Sequence, residues 1–318
     1  MRAVVTGARG QDGTLLCALL RAQGAEVVGI GRPGSRKDGP FSGVALTDIG
    51  AVATLIRDFA PDQVFHLAAS HHSSEQAVDI RFEREMVETN FRAAEILTAA
   101  IAEYRPSCRI LLAGTSMMYR AEAGDTRTID ESTAMHPMSF YGRTKSWSRE
   151  LLSHFRERWG VFGCTAILFN HESTLRSPHF VTRKVTMAAA RAKRGEAVTL
   201  NLLDVNSRTD WSSASDVVEG MRLALAAAEP ADYVLASGVA RPVSELLDAA
   251  FNAVSLDWRN YVTSSAPAGQ SRGTLVGDAT RARQRLGWRT TVGFETMVRE
   301  MVMHDLALLE RPGIPSSS

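Results

Sequence analysis

Short apolar runs alternate along the chain with longer segments in which apolar residues recur at helical spacing. The first run, residues 2–6, is too short for a helix and ends at a glycine, so it is typical of a buried strand. In the segment 14–23, Leu15, Leu16, Leu19 and Leu20 recur at helical spacing. We predict strands at 2–6, 26–30, 63–67, 109–113 and 163–169, and helices at 14–23, 49–59, 81–104 and 139–159. This alternation predicts an α/β fold, a Rossmann-type doubly wound parallel sheet.

The second half of the chain is less regular. We predict helices at 182–194, 215–227, 243–254 and 294–309, strands at 198–203 and 233–236, and a short helix that follows 275–278 and ends at 286–288. The tail after Arg311 is rich in proline and serine, so we expect it to be disordered.

A glycine-rich turn joins the first strand to the first helix. Backbone N–H groups in such a turn, together with a helix N-terminus, can hold a pyrophosphate. Ala68 and Ala69 follow the third strand and end at the same edge of the sheet, where ligands of such folds bind. We therefore predict a dinucleotide site. Its predicted contacts in these segments are Gly7, Arg9, Gly10, Gln11, Asp12, Gly13, Leu67, Ala68 and Ala69.

The end of the second strand bears on which cofactor binds. An acidic residue there favours NAD, whereas a basic one accommodates the 2′-phosphate of NADP. The sequence has Arg32 at this point and no carboxylate before Asp38, and Arg9 lies in the glycine turn. We therefore favour NADP, with NAD as the alternative. Asp48 could accept a hydrogen bond from the adenine amino group.

These segments suggest a division into two domains. Residues 1–168 are predicted to form an NADP-binding Rossmann domain, to which 209–236 returns. Residues 169–208 and 237–318 are predicted to form a smaller α/β C-terminal domain that binds the substrate. We expect the active site to lie in the cleft between the two.

Candidate catalytic residues follow the fourth strand and begin the next helix. Tyr141 and Lys145 are four residues apart and so share one helix face. A cation beside a phenol favours the phenolate, which could take a proton from a substrate hydroxyl while hydride leaves the same carbon. Thr115 or Ser116 would supply a hydrogen bond to the same oxygen. A Tyr/Lys pair at this spacing also occurs by chance on amphipathic helices, and the neighbouring glycine turn is what favours the catalytic interpretation.

Composition narrows the function classes. The 318 residues are 45% hydrophobic with a net charge of +1, which gives no reason to expect a nucleic acid or an anionic membrane surface as partner. The three cysteines fall in predicted helices or strands, so we expect reduced core residues rather than disulfides or a metal site. The sequence shows no charged region before a long apolar stretch at its start and no run of eighteen apolar residues, so we expect neither secretion nor membrane insertion but a cytoplasmic protein.

The chain resembles the extended short-chain dehydrogenases/reductases, and within them the GDP-mannose 4,6-dehydratase family. The matching stretches, in the family's order, are 10–13 (GQDG), 169–173 (FNHES), 180–184 (FVTRK), 209–211 (TDW), 232–238 (DYVLASG) and 286–288 (LGW). The resemblance implies NADP and a nucleotide-sugar substrate. By matched position, it implies that Asn170 and Lys184 contact the ribose or diphosphate and that Arg208 contacts a phosphate.

Three departures from the family pattern concern the reaction. The family's catalytic Glu is replaced by Met117, and a thioether is no useful proton donor or acceptor. Arg272 lies in an altered version of the stretch that holds the diphosphate, and it could take over that contact. His71 and His72 follow the third strand, where they could replace the lost acid/base or simply shape the sugar pocket.

These observations leave several reactions open. We expect first a C4 epimerase of an NDP-hexose or NDP-heptose that works through a 4-keto intermediate, second an NDP-4-keto-sugar reductase, and third a dehydratase with a replaced acid/base. A small-alcohol dehydrogenase and a non-enzymatic nucleotide-binding regulator are less consistent with the FNHES and FVTRK stretches and with the Thr/Tyr/Lys set. The helices at 81–104 and 139–159 pair subunits in related enzymes, so we expect a homodimer.

Overall fold

The computed structural model describes residues 1–31, 41, 43–71, 79–265 and 273–310, and the elements below are those of these residues. The strands are β1 Arg2–Thr6, β2 Glu26–Ile30, β3 Gln63–His66, β4 Arg109–Ala113, β5 Thr126–Ile129, β6 Gly163–Leu168, β7 Asn170–Glu172, β8 Leu200–Leu202, β9 Arg208–Ser213, β10 Tyr233–Leu235, β11 Ala240–Pro242, β12 Val262–Ser264 and β13 Thr274–Gly277. The α-helices are α1 Gln11–Ala22, α2 Ile49–Thr54, α3 Ile80–Met86, α4 Ala93–Tyr104, α5 Phe140–Trp159, α6 Val181–Lys193, α7 Ala214–Ala226, α8 Val243–Asn252, α9 Thr280–Leu286 and α10 Phe294–Glu310.

A six-stranded parallel sheet in the order β10-β6-β4-β3-β1-β2 forms the centre of the molecule. Chain order reverses across β1 and β3, which confirms the predicted doubly wound α/β fold. One apolar layer covers the sheet face that α1 and α7 occupy, and a second covers the face of α2, α4 and α5. Both faces are buried, as the almost uninterrupted apolar runs of β1, β4 and β6 require.

The second half of the chain adds a third apolar core around α6, α8 and α10. Two small sheets, β11-β9-β7 and β12-β8, contribute side chains to this core. A third small sheet, β13-β5, packs on β6 and β10 of the central sheet. Strand β13, late in the chain, pairs in parallel with β5 from the first half. The division of the chain into two domains stays a prediction.

Most long elements lie where the sequence predicts them, but two predicted helices contain irregular turns. The helix predicted at 49–59 ends in a π-helical segment, Leu55–Phe59, and the one predicted at 81–104 is interrupted by another, Val87–Arg92. The predicted strand 198–203 is shorter, Leu200–Leu202. The sequence interpretation missed β5, β7, β9, β11, β12 and β13, five of which have four residues or fewer, because so short a strand carries little periodicity.

Several smaller predictions also have an outcome. Cys17, Cys108 and Cys164 are buried free thiols, as expected. None of the helices in the described ranges is both long enough and apolar enough to cross a bilayer. The predicted disorder after Arg311 falls on 311–318, outside the described residues.

Candidate active site

The glycine turn between β1 and α1 is so tight that no side chain fits at Gly7 or at Gly13, at the start of α1. Gly7 has φ of +68°, and a Cβ there would lie 2.8 Å from the backbone nitrogen of Ala68. A Cβ on Gly13 would lie 2.2 Å from the Gly7 carbonyl oxygen. The first turn of α1 therefore packs directly against the loop, which leaves its N-terminal N–H groups facing the carboxyl edge of the sheet.

A cavity of about 780 Å³ opens beside this turn. Six predicted cofactor residues line it: Gly7, Arg9, Gly10, Leu67, Ala68 and Ala69. The sequence interpretation missed the rest of the lining, which is Ile30, Gly31, Val44, Ala45, Leu46, Thr47, Glu85, Glu88, Thr89 and Ala93. A glycine turn without room for side chains, a helix N-terminus and a cavity of this size fit a dinucleotide.

Asp48 caps the helix that follows it, and its hydrogen bond from the adenine amino group stays a prediction. Its carboxylate accepts a hydrogen bond from the backbone N–H of Ala51 at 3.0 Å and so caps the N-terminus of α2. Its neighbour Thr47 lines the cavity. Arg32, His72 and Arg272 lie outside the described residues, so the roles given to them stay predictions.

The catalytic candidates after β4 sit on a single 3₁₀ turn, Ser116–Met118, which Thr115 caps. The Thr115 hydroxyl oxygen accepts from the Met117 N–H at 3.2 Å, so its own proton is available to a substrate oxygen. Met117 itself is 41% exposed. A Cβ on Gly142 would lie 2.2 Å from the Met117 carbonyl oxygen, so the first turn of α5 packs directly on this 3₁₀ turn. The structure thereby brings Thr115, Ser116 and Met117 beside Tyr141.

Tyr141 and Lys145 share one face of α5, and the Lys145 ammonium lies 5.9 Å from the centre of the Tyr141 ring. Burial raises the pKa of Tyr141, and the carboxylate of Asp12 raises it further. Burial lowers the pKa of Lys145 to about 8. In the protein chain itself, desolvation thus outweighs the expected effect of the lysine, and the phenol keeps its proton at neutral pH.

His71 is the one of the two candidate histidines that the structure describes. Its ring meets the ring of Tyr141 edge-on, with centroids 4.6 Å apart, and stacks at 6.0 Å on Phe180 at the N-terminus of α6. His71 therefore joins the catalytic helix to the FVTRK stretch. Sequence spacing alone could not place these three rings together.

Asn90 supports the catalytic helix but was missed in the sequence. Its amide nitrogen donates to the Ser70 carbonyl and to the Thr144 hydroxyl, both at 3.1 Å, and its amide oxygen accepts from the Ser70 N–H at 2.9 Å. Asn90 is buried in the π-helical segment and so fixes the loop that carries His71 against the residue preceding Lys145. A polar residue in an otherwise apolar helix face was the available signal.

The substrate-binding candidates of the second half lie on different elements. Asn170 is exposed at the start of β7, where it pairs with Trp211 of β9, and Lys184 is half-buried in the first turns of α6. Arg208 donates to the Ala240 carbonyl at 2.6 Å, at the start of β9. Arg208 lies three residues before Trp211, the partner of Asn170 across the two strands. Arg208 is therefore roughly 10 Å from Asn170 along the strand direction.

Comparison with known proteins places the chain among enzymes of related architecture. A family model described as GDP-mannose 4,6 dehydratase matches residues 4–301. GDP-mannose 4,6 dehydratase 2 of Arabidopsis thaliana is 33% identical over 332 residues, which cover 97% of this chain and 88% of that protein. The Homo sapiens GDP-mannose 4,6 dehydratase is 30% identical over 352 residues, covering 96% and 92%.

Solved structures agree on the fold. The UDP-glucose 4-epimerase of Thermus thermophilus, solved as its complex with NAD, has a TM-score of 0.80 at 26% identity, covering 96% of this chain and 99% of that one. RMD from Pseudomonas aeruginosa, complexed with NADPH, has a TM-score of 0.79 at 21% identity, with coverage of 96% and 99%. At 21% identity the second likeness concerns the fold alone.

Proposed function

Since the chain belongs to the GDP-mannose 4,6-dehydratase family of NAD(P)-dependent enzymes that modify nucleotide sugars, we propose that it inverts C4 of a nucleotide-linked hexose or heptose through a 4-keto intermediate. One observation carries this proposal. The 3₁₀ turn that Thr115 caps packs on the start of α5 and presents Met117, a side chain that cannot move a proton, beside an otherwise complete Thr/Tyr/Lys set. The residues needed for oxidation at C4 are present, whereas the acid/base group needed for the elimination of water is replaced by Met117.

The protein's own residues handle the proton and the C4 oxygen. A nicotinamide held at the glycine turn would supply the transfer of a hydride from C4 and back. Tyr141 takes the C4 hydroxyl proton in the oxidation and gives it back to the same oxygen in the reduction. Thr115 donates a hydrogen bond to that oxygen in both directions. Inversion requires only that the keto sugar turn its other face to the hydride.

The raised pKa of Tyr141 gives the two halves of this cycle opposite pH dependence. The protonated phenol of Tyr141 can donate its proton to a 4-keto oxygen, so the reduction should proceed at neutral pH. Oxidation needs the phenol to lose its proton first, so its rate should rise with pH. A single reduction of a 4-keto sugar supplied from elsewhere uses the same residues and is the alternative reaction.

For the cofactor we propose NADP. Arg9 lines the cavity beside the glycine turn, where its guanidinium can serve a 2′-phosphate. Solved relatives of the same fold carry NAD in one case and NADPH in another, so NAD stays the alternative. The nucleotide sugar would extend from the cofactor site to Asn170 and Lys184.

A second candidate, a dehydratase with a replaced acid/base, rests on His71. Its ring touches Tyr141, so an imidazole is close to the groups that act on the sugar. If it moved the proton at C5, the product would lose water in spite of Met117. A His71→Phe variant, which keeps the ring contacts with Tyr141 and Phe180, should abolish that loss and leave C4 chemistry in place.

We also propose a homodimer. Trp147 is 40% exposed on α5, and its ring contacts the rings of Phe91 and Phe140 edge-to-face, with centroids 6.1 Å apart in both cases. The three rings form an aromatic patch on the pair of helices expected to meet a second copy. Exposed aromatic groups of this kind are enriched in interfaces.

Product analysis tests the proposed reaction. Purified protein is incubated with GDP-, ADP- and UDP-linked hexoses and heptoses, and the products are examined by NMR and mass spectrometry. An unchanged mass with an inverted C4 proton coupling supports the epimerase, and loss of one water supports the dehydratase. The control is Tyr141→Phe, which removes only the phenolic oxygen and should give neither product.

A further inference from the structure

His171, in the FNHES stretch, has a hydrogen-bond acceptor facing each of its ring nitrogens. Nδ1 lies 2.7 Å from the Phe169 carbonyl oxygen, and Nε2 lies 2.9 Å from Oδ2 of Asp12. A carbonyl oxygen only accepts, so Nδ1 carries a proton. A carboxylate also only accepts, so a second proton lies between Nε2 and Asp12. The pair therefore holds one proton more than a neutral imidazole beside a carboxylate.

This pair joins two segments that serve different ligands. Asp12 lies in the first turn of α1, directly after the glycine turn beside the proposed cofactor cavity, and His171 follows Asn170 on β7. Gln11 makes parallel contacts: its amide nitrogen donates to the His171 carbonyl at 3.0 Å, and its amide oxygen accepts from the Ser173 hydroxyl at 2.8 Å. The Asp12 and Gln11 side chains thus point to β7, which leaves the backbone of the turn to contact a pyrophosphate.

We propose that His171 is a positioning residue that, as an imidazolium paired with Asp12, holds the cofactor-binding turn against the substrate strand. This inference rests on the proposed function, since it assumes that a dinucleotide binds at the turn. His171 itself has only an 11% exposed side chain and acts through Asp12 and β7.

The surrounding charges favour the ion pair. Burial disfavours charge on both groups, yet the partner outweighs it: the pKa of His171 is raised and that of Asp12 is lowered. Arg176 lowers the pKa of both His171 and Asp12. Glu172 is the next residue of β7 after His171, and Tyr141 faces Asp12 from α5. Arg176 is itself paired with Glu172 at 3.1 Å, which limits its repulsion of the imidazolium.

The pairing predicts a sign for the pH dependence. Because the pKa of His171 is raised by folding, its contribution is complete below its ordinary pKa and is lost as the pH rises through the raised one. Because the pKa of Asp12 is lowered, its contribution is lost only when the pH falls toward that lower value. Above the pKa of His171, a lone pair on Nε2 would face the carboxylate, and the contacts of Gln11 with His171 and Ser173 would remain to hold the turn to β7.

NMR of the His171 ring nitrogens tests the proton directly and needs no substrate. We expect both nitrogens to be protonated at neutral pH in the wild type. In Asp12→Asn, the Asn amide can donate to Nε2, so we expect only Nδ1 to be protonated while the contact is kept. A singly protonated His171 in the wild type would overturn the ion pair, whatever reaction the enzyme catalyses.

The affinity for NADPH, measured against pH with NADH in parallel, tests the positioning role. The wild type should lose at least about fivefold in affinity as His171 loses its proton, within the usual range of coupling between sites. Asp12→Asn and His171→Gln keep a hydrogen bond that does not titrate, so their profiles should be flat over the same range. The matched control is His154→Gln on the exposed face of α5, which should follow the wild type. Equal alkaline losses in the wild type, Asp12→Asn and His171→Gln would overturn the proposal.

Discussion

Gly142, the residue after Tyr141, links the packing of the fold to the geometry of the reaction. A Cβ at this position would lie 2.2 Å from the Met117 carbonyl oxygen and 3.1 Å from the Pro137 side chain. Gly142→Ala must therefore push the start of α5 away from the 3₁₀ turn by roughly 1 Å, since packed interiors do not absorb such an overlap. Tyr141 moves with the helix and Thr115 with the turn.

The effects of Gly142→Ala on stability and on the rate of C4 conversion should be separable. Alanine favours an α-helix over glycine by about 1 kcal/mol, whereas overpacking costs about 1–3 kcal/mol. We expect a modest net loss of stability, measured by urea unfolding. The rate of C4 conversion, followed by NMR, should fall about 100-fold, because a misplacement of about 1 Å carries a penalty of that size.

Gly160, at the other end of the same helix, provides the matched control. Its φ is +66° and no atom lies within 4 Å of a Cβ placed on it. Gly160→Ala should cost about 1 kcal/mol for the left-handed backbone, and it should leave the rate unchanged. A folded Gly142→Ala variant with wild-type activity would refute the claim that the contact between α5 and the 3₁₀ turn sets the catalytic geometry.

Three further predictions concern charge and assembly. Asp232→Asn should lower the free energy of unfolding by about 3–5 kcal/mol, because the carboxylate of Asp232, 6% exposed, holds both Arg149 and Arg156 at 2.8 Å; urea unfolding measures this. Lys145→Met should abolish C4 chemistry yet raise stability at pH 7 by roughly 3 kcal/mol, because burial lowers the pKa of Lys145 to about 8 and keeping it charged there is costly. Trp147→Asp should convert the proposed dimer to monomer in sedimentation at micromolar concentration.

Each of these has a result that would count against it. For Asp232 the comparison is Asp257→Asn, an exposed residue paired with an exposed arginine, and equal losses would mean that burial of the ion pair is unimportant. For Lys145 the sign follows from the lowered pKa: the wild type should regain stability relative to the variant between about pH 8 and 10.5, and a pH-independent difference would contradict the argument. A wild-type protein that sediments only as monomer would rule out the dimer.

The sequence predicts the sheet well because its strands are buried on both faces. The run of β6 is buried at every position and apolar except for Thr165, so its type is visible in the sequence. The short strands β7 and β11 are not, since three residues carry no periodicity and their pairing depends on distant partners. The π-helical turn around Asn90 likewise arises from tertiary contacts that local spacing does not encode.

The residues of the site likewise fall into local patterns that the sequence shows and contacts that only the fold creates. The glycine turn and the Tyr141/Lys145 pair are local patterns, and the structure places them where the spacing predicts. The contact between His71 and Tyr141 and the pair of Asp12 with His171 join residues 70 and 159 positions apart, so only the fold brings them together. The state of Tyr141 was also beyond local reasoning, because burial, rather than the neighbouring lysine, has the largest effect on its pKa.

The most direct test of the account is the mass spectrum of the product formed in D₂O by the wild type and by Met117→Glu. Elimination across C5 and C6 would remove the C5 proton and the C6 hydroxyl together as one water. The saturated product would form when the hydride taken from C4 is returned at C6 and a deuteron from the solvent adds at C5. The account predicts a wild-type product of unchanged mass without deuterium at C5. In Met117→Glu it predicts loss of water with one deuteron gained, since a positioned acid/base contributes about 10²- to 10⁴-fold. Loss of water by the wild type would contradict the claim that Met117 confines the chemistry to C4.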